Sequence, residues 1–173
     1  MVVIKRITSE DAFVYKEVRL RALAESPTSF SATYAKEVQF PDEEWRRRAA
    51  ERDGGKAIGF LAYEDDRACG MVFCFKDDQD VAVGTIVSMW VDPAVRRAGV
   101  GRLLINAVVE WAKEREMREL KLMVTSVNQG AIAFYERNGF RMSGKTGPYP
   151  NDPAIVEFEM ILAMPQIGNR GSN

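Results

Sequence analysis

Two periods of apolar positions run through the chain, and each predicts a different secondary structure. Apolar residues that recur every three or four positions predict four helices, over 9–26, 41–52, 99–116 and 128–137. Stretches rich in β-branched residues and bounded by turn-forming residues predict strands. These strands are 2–8, 57–63, 68–76, 80–91, 120–125, 140–143 and 154–164. The remaining segments 27–40 and 144–153, which contain Ser, Thr, Pro and Gly, are predicted to be links.

The order of these elements predicts a mixed sheet. Turns at 64–67 and 77–79 join three consecutive strands, and such short turns favour an antiparallel meander. The helix 99–116 then forms a strand–helix–strand crossover. The strand 80–91 is apolar on both faces along its last eleven residues, so both faces of the sheet should be covered. The fold class is therefore α/β, of the α+β kind: a mixed, mainly antiparallel six- to seven-stranded sheet with helices on both faces.

Length, composition and charge are those of an ordinary soluble globular protein. The 173 residues, 46% apolar and 28% charged, predict one domain over 1–164 followed by a disordered tail over 165–173. A net charge of −1 with both signs interspersed does not indicate a nucleic acid or an anionic membrane as a partner. The sequence contains no signal peptide and no apolar run of membrane-spanning length, so we expect a cytoplasmic protein.

The chain contains no histidine and only two cysteines. Because imidazole ligands are absent and Cys69 and Cys74 are too few for a metal site, we expect no metal. The same absence excludes Ser-His and Cys-His catalytic pairs. If the protein is an enzyme, its chemistry proceeds without histidine.

The stretch 89–102 has the composition of an anion-binding turn. It combines the end of a buried strand, a Pro-containing turn and the start of a glycine-rich helix. Gly99 and Gly101 lack Cβ atoms, so another molecule can approach the main chain there, and the unpaired N–H groups of a first helical turn attract anions. Three arginines add positive charge at the same place: Arg96, Arg97 and Arg102.

Two common nucleotide-binding motifs are absent from this turn. A P-loop would need Lys and Ser or Thr after Gly101, and a dinucleotide fingerprint would need glycine in place of Leu104. The pattern that remains, Arg96-x-x-Gly99-x-Gly101, resembles the Arg/Gln-x-x-Gly-x-Gly/Ala signature of the GNAT superfamily of N-acetyltransferases. In that family the signature holds the pyrophosphate of acetyl-coenzyme A.

A second stretch carries the same resemblance. The residues from Asn128 to Phe140 are similar to the family's Asn-x-x-Ala-x-x-Phe-Tyr-x-x-x-Gly-Phe motif. Both motifs occur in the family's order and spacing, and the order of predicted elements extends the likeness to about residues 1–163. It is weakest in 25–55 and 144–153.

The resemblance implies a fold of the acyl-CoA N-acyltransferase type, with acetyl-CoA as cosubstrate and no metal. Strands 80–91 and 120–125 would splay apart, usually because of a bulge in the former, and the coenzyme would lie in the gap. The residues assigned to the coenzyme in this way are Met89, Trp90 and Val91 for the pantetheine amides, Arg96, Arg97, Ala98, Gly99, Val100, Gly101 and Arg102 for the pyrophosphate, and Asn128 and Arg137 for the pantetheine arm and the phosphates.

The implied activity is direct transfer of the acetyl group from acetyl-CoA to a primary amine. The amine would belong to a small molecule or be an exposed amino group of a protein or peptide. Tyr135 is the expected catalytic residue, because a neutral phenol can protonate the departing thiolate. An alternative function on the same fold is that of a non-catalytic acyl-CoA-binding sensor.

The sequence does not identify the general base that would accept the proton of the amine. Relatives often carry Glu in place of Met123, or on the strand where this chain has Thr85 or Val87. A carboxylate from elsewhere or water must then accept the amine proton. The unplaced candidates are Glu25, Glu37 and Glu64.

The acceptor is expected to lie between the two least family-like links, 27–40 and 144–153. Both contain aromatic and turn-forming residues and lie outside the coenzyme motifs. Phe30, Tyr34 and Tyr149 are predicted to form aromatic walls around it. The resemblance also allows a homodimer, which no sequence feature decides.

Overall fold

The centre of the protein is a seven-stranded β-sheet. The computed structural model describes residues 1–165 of the chain. Its strands are β1 (Val2–Arg6), β2 (Ala57–Glu64), β3 (Arg67–Lys76), β4 (Val83–Val91), β5 (Glu119–Thr125), β6 (Arg141–Tyr149) and β7 (Asp152–Ala163). Its helices are α1 (Ala12–Glu25), α2 (Tyr34–Glu37), α3 (Asp42–Glu51), α4 (Val100–Glu114) and α5 (Gln129–Arg137).

The strands follow the order β1-β2-β3-β4-β5-β7-β6 across the sheet. Helix α4 crosses from β4 to β5, which pair in parallel, while every other neighbouring pair is antiparallel. The predicted mixed, mainly antiparallel sheet and its single crossover are therefore confirmed.

Helices cover both faces of the sheet, as predicted. On one face the apolar stripe of α4, with Leu104 and Val108, packs together with α5 on Leu120 and Leu122 of β5. We call this the α4–α5 face. On the opposite face, which we call the α1–α3 face, helices α1 and α3 pack on β2 and β3 through residues that include Tyr15, Trp45 and Phe73. Tyr15 lies edge-on to both Trp45 and Phe73, with ring centroids 5.4 and 5.2 Å away.

A β-bulge interrupts β4 next to the crossover. Met71 pairs with Trp90 and Phe73 with Val87, so the single residue between them on β3 opposes two residues on β4. One of the two, Ser88, has a φ of 56°, a conformation that non-glycine residues rarely adopt. The parallel pairing of β4 with β5 ends at Thr85, and beyond it the two strands separate. The expected splay and the expected bulge are both confirmed.

The predicted link 144–153 is wrong, because all of these residues except Pro150 and Asn151 lie in the two strands of a β-hairpin. Strand β6 continues to Tyr149, and β7 begins at Asp152. Gly144 and Pro148 suggested a loop, yet β6 is the edge strand of the sheet. An edge strand tolerates proline, whose missing N–H group breaks no ladder there. The other link, 27–40, contains the short helix α2.

The ends of several elements differ slightly from the prediction. Residues 9–11 form a 3₁₀ turn before α1, and the side chain of Asp11 accepts hydrogen bonds from the N–H and hydroxyl of Thr8, each at 2.8 Å. Of the predicted tail 165–173, all but Pro165 lies outside the described residues. Within 1–165, no helix is both long and apolar enough to cross a membrane.

Candidate active site

A cleft of about 90 Å³ opens where β4 and β5 separate. Four residues of each strand line it, together with α5 and its cap and with single residues of β7 and of the loop after α1. The lining residues are Ser29, Ile86, Val87, Ser88, Met89, Leu122, Met123, Val124, Thr125, Asn128, Ala131, Tyr135 and Glu157. Of the sequence-predicted site residues, the structure thus brings Met89, Asn128 and Tyr135 together in one cleft.

The cleft is lined from both faces of the sheet. Tyr135 belongs to the core cluster on the α4–α5 face, and so do Leu122 and Val124. Because side chains alternate along a strand, Met123 and Thr125 point to the α1–α3 face. The cleft therefore connects the helix α5 on one side of the sheet with the loop after α1 on the other.

Tyr135 occupies the floor of the cleft. Its side chain is only 8% exposed, and its ring packs edge-on against Phe134 and Phe140, at 5.2 and 5.7 Å. Burial raises the pKa of this phenol well above its ordinary value. The hydroxyl therefore stays protonated throughout the neutral range and remains a hydrogen-bond donor.

Asn128 begins helix α5, as the sequence predicts. Its side-chain oxygen accepts a hydrogen bond from the N–H of Ala131 at 3.1 Å, which satisfies one of the unpaired donors of the first turn. This cap fixes the direction of the helix that carries Tyr135. Arg137, in the last turn, is exposed.

A buried ion pair holds the bulge of β4. The guanidinium of Arg19 donates to the Ser88 hydroxyl at 2.7 Å and to both carboxylate oxygens of Glu37 at 2.9 and 3.1 Å. Glu37 is 2% exposed. Burial opposes its charge, but the hydrogen bonds and charges of Arg19 and Arg48 outweigh burial and lower the pKa of Glu37. No sequence feature singled out Arg19 or Ser88, because their contact joins residues 69 positions apart.

The turn between β4 and α4 leaves main-chain donors free. Gly99 precedes the helix with a φ of 84°, and no side chain caps the first turn. The first helical hydrogen bond runs from Leu103 to Gly99, so the three N–H groups between them have no partner within the helix. A Cβ atom added at Gly99 would meet nothing within 4 Å. Arg97 and Arg102 are both exposed beside this turn.

Arg96 is engaged with the protein. Its Nε donates to the carbonyl of Val91 at 2.9 Å, and its NH2 group donates to the carboxylate of Glu25 at 2.7 Å. The same carboxylate accepts from the indole N–H of Trp90 at 2.9 Å. Trp90 packs in the core of the α1–α3 face, so its ring lies away from the α4–α5 face, and only its main chain follows the strand edge.

Gly101 has a structural role that the sequence did not show. A Cβ atom there would lie 3.0 Å from two ring atoms of Phe134 and 3.2 Å from the terminal methyl of Met89. The close approach expected at this glycine is therefore made by the protein's own side chains. It lets α4 approach Phe134 of α5, the residue that precedes Tyr135.

We expect Gly101→Val to destabilise the fold by about 1–3 kcal/mol, the usual cost of overpacking a core. Gly130→Val is the matched control, because the nearest atom to an added Cβ there is 3.9 Å away. Denaturant unfolding of both variants measures the difference. Equal stabilities would show that the Phe134 ring moves aside without cost.

The three aromatic residues predicted for the acceptor occupy different environments. Tyr34 is 44% exposed on α2, whereas Phe30 and Tyr149 are both buried. The hydroxyl of Tyr149 donates to the carbonyl of Phe30 at 2.6 Å, and Asn151 donates to the same oxygen at 3.1 Å. These bonds tie the β6–β7 hairpin to the loop after α1. None of the three rings lines the cleft, but Ser29 of that loop does.

The three carboxylates that were candidates for the general base lie outside the cleft lining. Glu37 is held by two arginines. Glu25 is similar: burial opposes its charge, but hydrogen bonds from Ser26, Trp90 and Arg96 outweigh it and lower the pKa. Glu64 ends β2. The carboxylate that does line the cleft is Glu157 of β7, which no motif in the sequence singled out. Among residues 1–165, no group of three or more Cys, Asp or Glu side chains is placed to hold a metal ion.

The sequence matches the model of the Acetyltransferase (GNAT) family over residues 19–140. This match covers well over half of the chain, and the splayed sheet and its uncapped helix agree with it. The chain belongs to the GNAT family of acetyltransferases.

Named relatives agree with this assignment. The chain is 30% identical over 133 residues to streptothricin acetyltransferase A of Bacillus subtilis, across 76% of this chain and 73% of the relative. It is 38% identical over 86 residues to an uncharacterised N-acetyltransferase of Methanocaldococcus jannaschii, across 50% of this chain and 35% of the relative. Three of the curated relatives are spanned over only 35%, 37% and 43% of their length.

Solved structures share the fold. A GNAT acetyltransferase from Streptococcus pneumoniae superimposes with a TM-score of 0.79 at 22% identity, covering 95% of this chain and 100% of that one. An N-acetyltransferase from Thermoplasma acidophilum, solved in complex with coenzyme A, gives a TM-score of 0.73 at 15% identity, over 94% and 99% of the two chains. At these identities the likeness concerns the fold alone.

Proposed function

We propose that the protein is an acetyl-CoA-dependent N-acetyltransferase that transfers the acetyl group directly to a primary amine. The observation that carries this proposal is the cleft between the splayed strands, with the Tyr135 phenol in its floor. Membership of the GNAT family supports the same chemistry. The acceptor amine belongs to a small molecule or is an exposed amino group of a protein or peptide.

Several features of the chain fit acetyl-CoA in this cleft. The edge of β4 beyond Thr85 has lost its neighbour, so its main-chain groups are available to the amides of the pantetheine arm. The free N–H groups of the first turn of α4, with Arg97 and Arg102 beside them, suit the pyrophosphate. At Gly99 nothing blocks the approach of the phosphates.

The protein's part in the reaction is positioning and proton transfer. Holding amine and thioester in one narrow cleft replaces a bimolecular encounter by an oriented one. Main-chain N–H groups at the bulge of β4 stabilise the negative charge that develops on the thioester oxygen. Tyr135 donates its proton to the sulfur as the carbon–sulfur bond breaks.

A panel of amines with acetyl-CoA tests the proposal. Streptothricin is the first acceptor to try, because of the name of the Bacillus subtilis relative. Small primary amines and peptides with free amino termini complete the panel. We expect release of free thiol together with an acceptor heavier by one acetyl group. Calorimetric binding of acetyl-CoA without turnover of any amine would instead support the acyl-CoA-binding sensor.

A further inference from the structure

Glu157 is a carboxylate on the acceptor side of the cleft. It lies on β7, where it pairs with Thr125 of β5 and with Gly147 of the edge strand β6. Its neighbours Phe158 and Met160 pack on the α4–α5 face. By alternation Glu157 points to the α1–α3 face, opposite to the side from which Tyr135 enters the cleft.

Nothing neutralises this carboxylate in the described part of the chain. Burial raises the pKa of Glu157, and no neighbouring cation or hydrogen-bond donor offsets the effect. Other charged groups on the surrounding strands and across the cleft are engaged elsewhere, exposed or of the same sign. They include Lys121 on β5, which pairs with Asp77, Arg141 and Lys145 on β6, which are exposed, Glu159 on β7, and Arg19, which pairs with Glu37.

We infer that Glu157 is the general base of the transfer and the group that draws the acceptor into the cleft as an ammonium ion. This inference rests on the proposed N-acetyltransferase function. An unpaired carboxylate in a partly desolvated cleft attracts a cation. Because its proton affinity is raised, it also accepts a proton from that cation more readily than an exposed carboxylate would.

The proton transfers balance with Tyr135 as the acid. Glu157 takes one proton from the ammonium, and the freed lone pair forms the bond from nitrogen to the acetyl carbon. The carbon–sulfur bond then breaks, and its electron pair stays on sulfur, which takes the proton of Tyr135. As the amide forms, nitrogen loses a second proton, which returns to the phenolate through water. The proton on Glu157 leaves to solvent, so one proton is released per acetyl group transferred.

The opposite positions of the two groups suit addition of the amine to the thioester carbonyl followed by departure of the sulfur. The amine reaches the acetyl carbon from the α1–α3 face, while the sulfur lies toward Tyr135 on the α4–α5 face. The acid and the base therefore enter the cleft from opposite faces of the sheet.

The test compares Glu157→Gln with Glu159→Gln. Glu159 lies two residues further along the same strand and on the same face, but outside the cleft lining. The assay uses acetyl-CoA and the panel amine with the highest wild-type turnover. We expect Glu157→Gln to lower kcat/KM for the amine by about 10²–10⁴, with calorimetric acetyl-CoA affinity unchanged. Glu159→Gln should remain within about twofold of the wild type.

The pH profile separates a base from a structural residue. Wild-type kcat/KM should rise with pH through an acidic limb that the Glu157→Gln variant lacks, and the variant should recover part of its rate as the free amine becomes abundant. Wild-type turnover with an unaffected Glu157→Gln rate and profile would overturn this inference alone. No wild-type turnover of any amine would overturn the proposed function and this inference with it.

Discussion

Replacement of Tyr135 by Phe is expected to lower kcat by about 10²–10⁴, the usual contribution of one acid–base group. The change deletes only the hydroxyl and keeps the ring, so the contacts with Phe134 and Phe140 remain. The departing sulfur must then leave as an unprotonated thiolate. Acetyl-CoA affinity should stay nearly constant, because we propose that the edge of β4 and the start of α4 make most of the contacts with the coenzyme.

Tyr15→Phe is the matched control for this experiment. The Tyr15 hydroxyl is also buried and has no hydrogen-bond partner, but it lies in the core of the α1–α3 face, outside the cleft lining. Its removal should leave kcat unchanged. Steady-state kcat values of both variants, measured across pH with chemistry shown to be rate-limiting, distinguish a general acid from a core residue. A Tyr135→Phe enzyme with wild-type kcat would mean that Tyr135 only fills the core.

The second large effect is expected at the ion pair that holds the bulge. Glu37→Leu removes the carboxylate and leaves the Arg19 guanidinium, which is 7% exposed, without its main partner. Breaking a buried pair in this way costs about 3–5 kcal/mol, because one charge remains desolvated. Denaturant unfolding of the variant should show a loss of this size at neutral pH.

Arg19→Met combined with Glu37→Leu separates stability from positioning. Removing both charges should recover most of the stability. It should not recover activity, because the contact from Arg19 to Ser88 that holds the bulge is lost as well. Full activity in the stable double variant would show that the bulge needs no such support.

The same pair makes stability depend on pH in a predictable direction. The pKa of Glu37 is lowered by folding, so its contribution is complete above the ordinary value of 4.5 and is lost as the pH falls below that value through the lowered folded-state pKa. The difference in unfolding free energy between the wild type and Glu37→Leu should therefore shrink below pH 4.5. A difference that does not change with pH would contradict the assigned ion pair.

Local motifs were sufficient to predict part of the cleft lining. Asn128 and Tyr135 lie in one short helix, and the cap and the helical spacing together place both side chains at the splayed strands. Gly99 takes the positive φ that the turn before α4 requires. Their positions depend on residues within about two turns of each other, and such short-range geometry is visible in a sequence.

Other residues could not be placed from the chain alone. Gly101 suggested a close approach by a ligand. The side on which a Cβ atom would lie instead faces Phe134, which is 33 residues further along the chain. Gly144 and Pro148 suggested a loop, because glycine and proline are disfavoured inside a sheet. The sequence does not show that β6 lies at the edge of the sheet, where proline is tolerated. Glu157 was not predicted as a site residue, because the strands that pair with β7 could not be identified from the sequence.

By itself the sequence determined the order of the four longer helices and the seven strands, and the glycine-rich turn before α4. These properties follow from periodicity and from the conformational limits of single residues. Only the tertiary structure decided that β7 lies between β5 and β6, that Arg19 reaches the bulge, and that Glu157 faces the cleft. Those contacts join residues far apart in the chain, and their formation depends on how the whole sheet and its helices pack together.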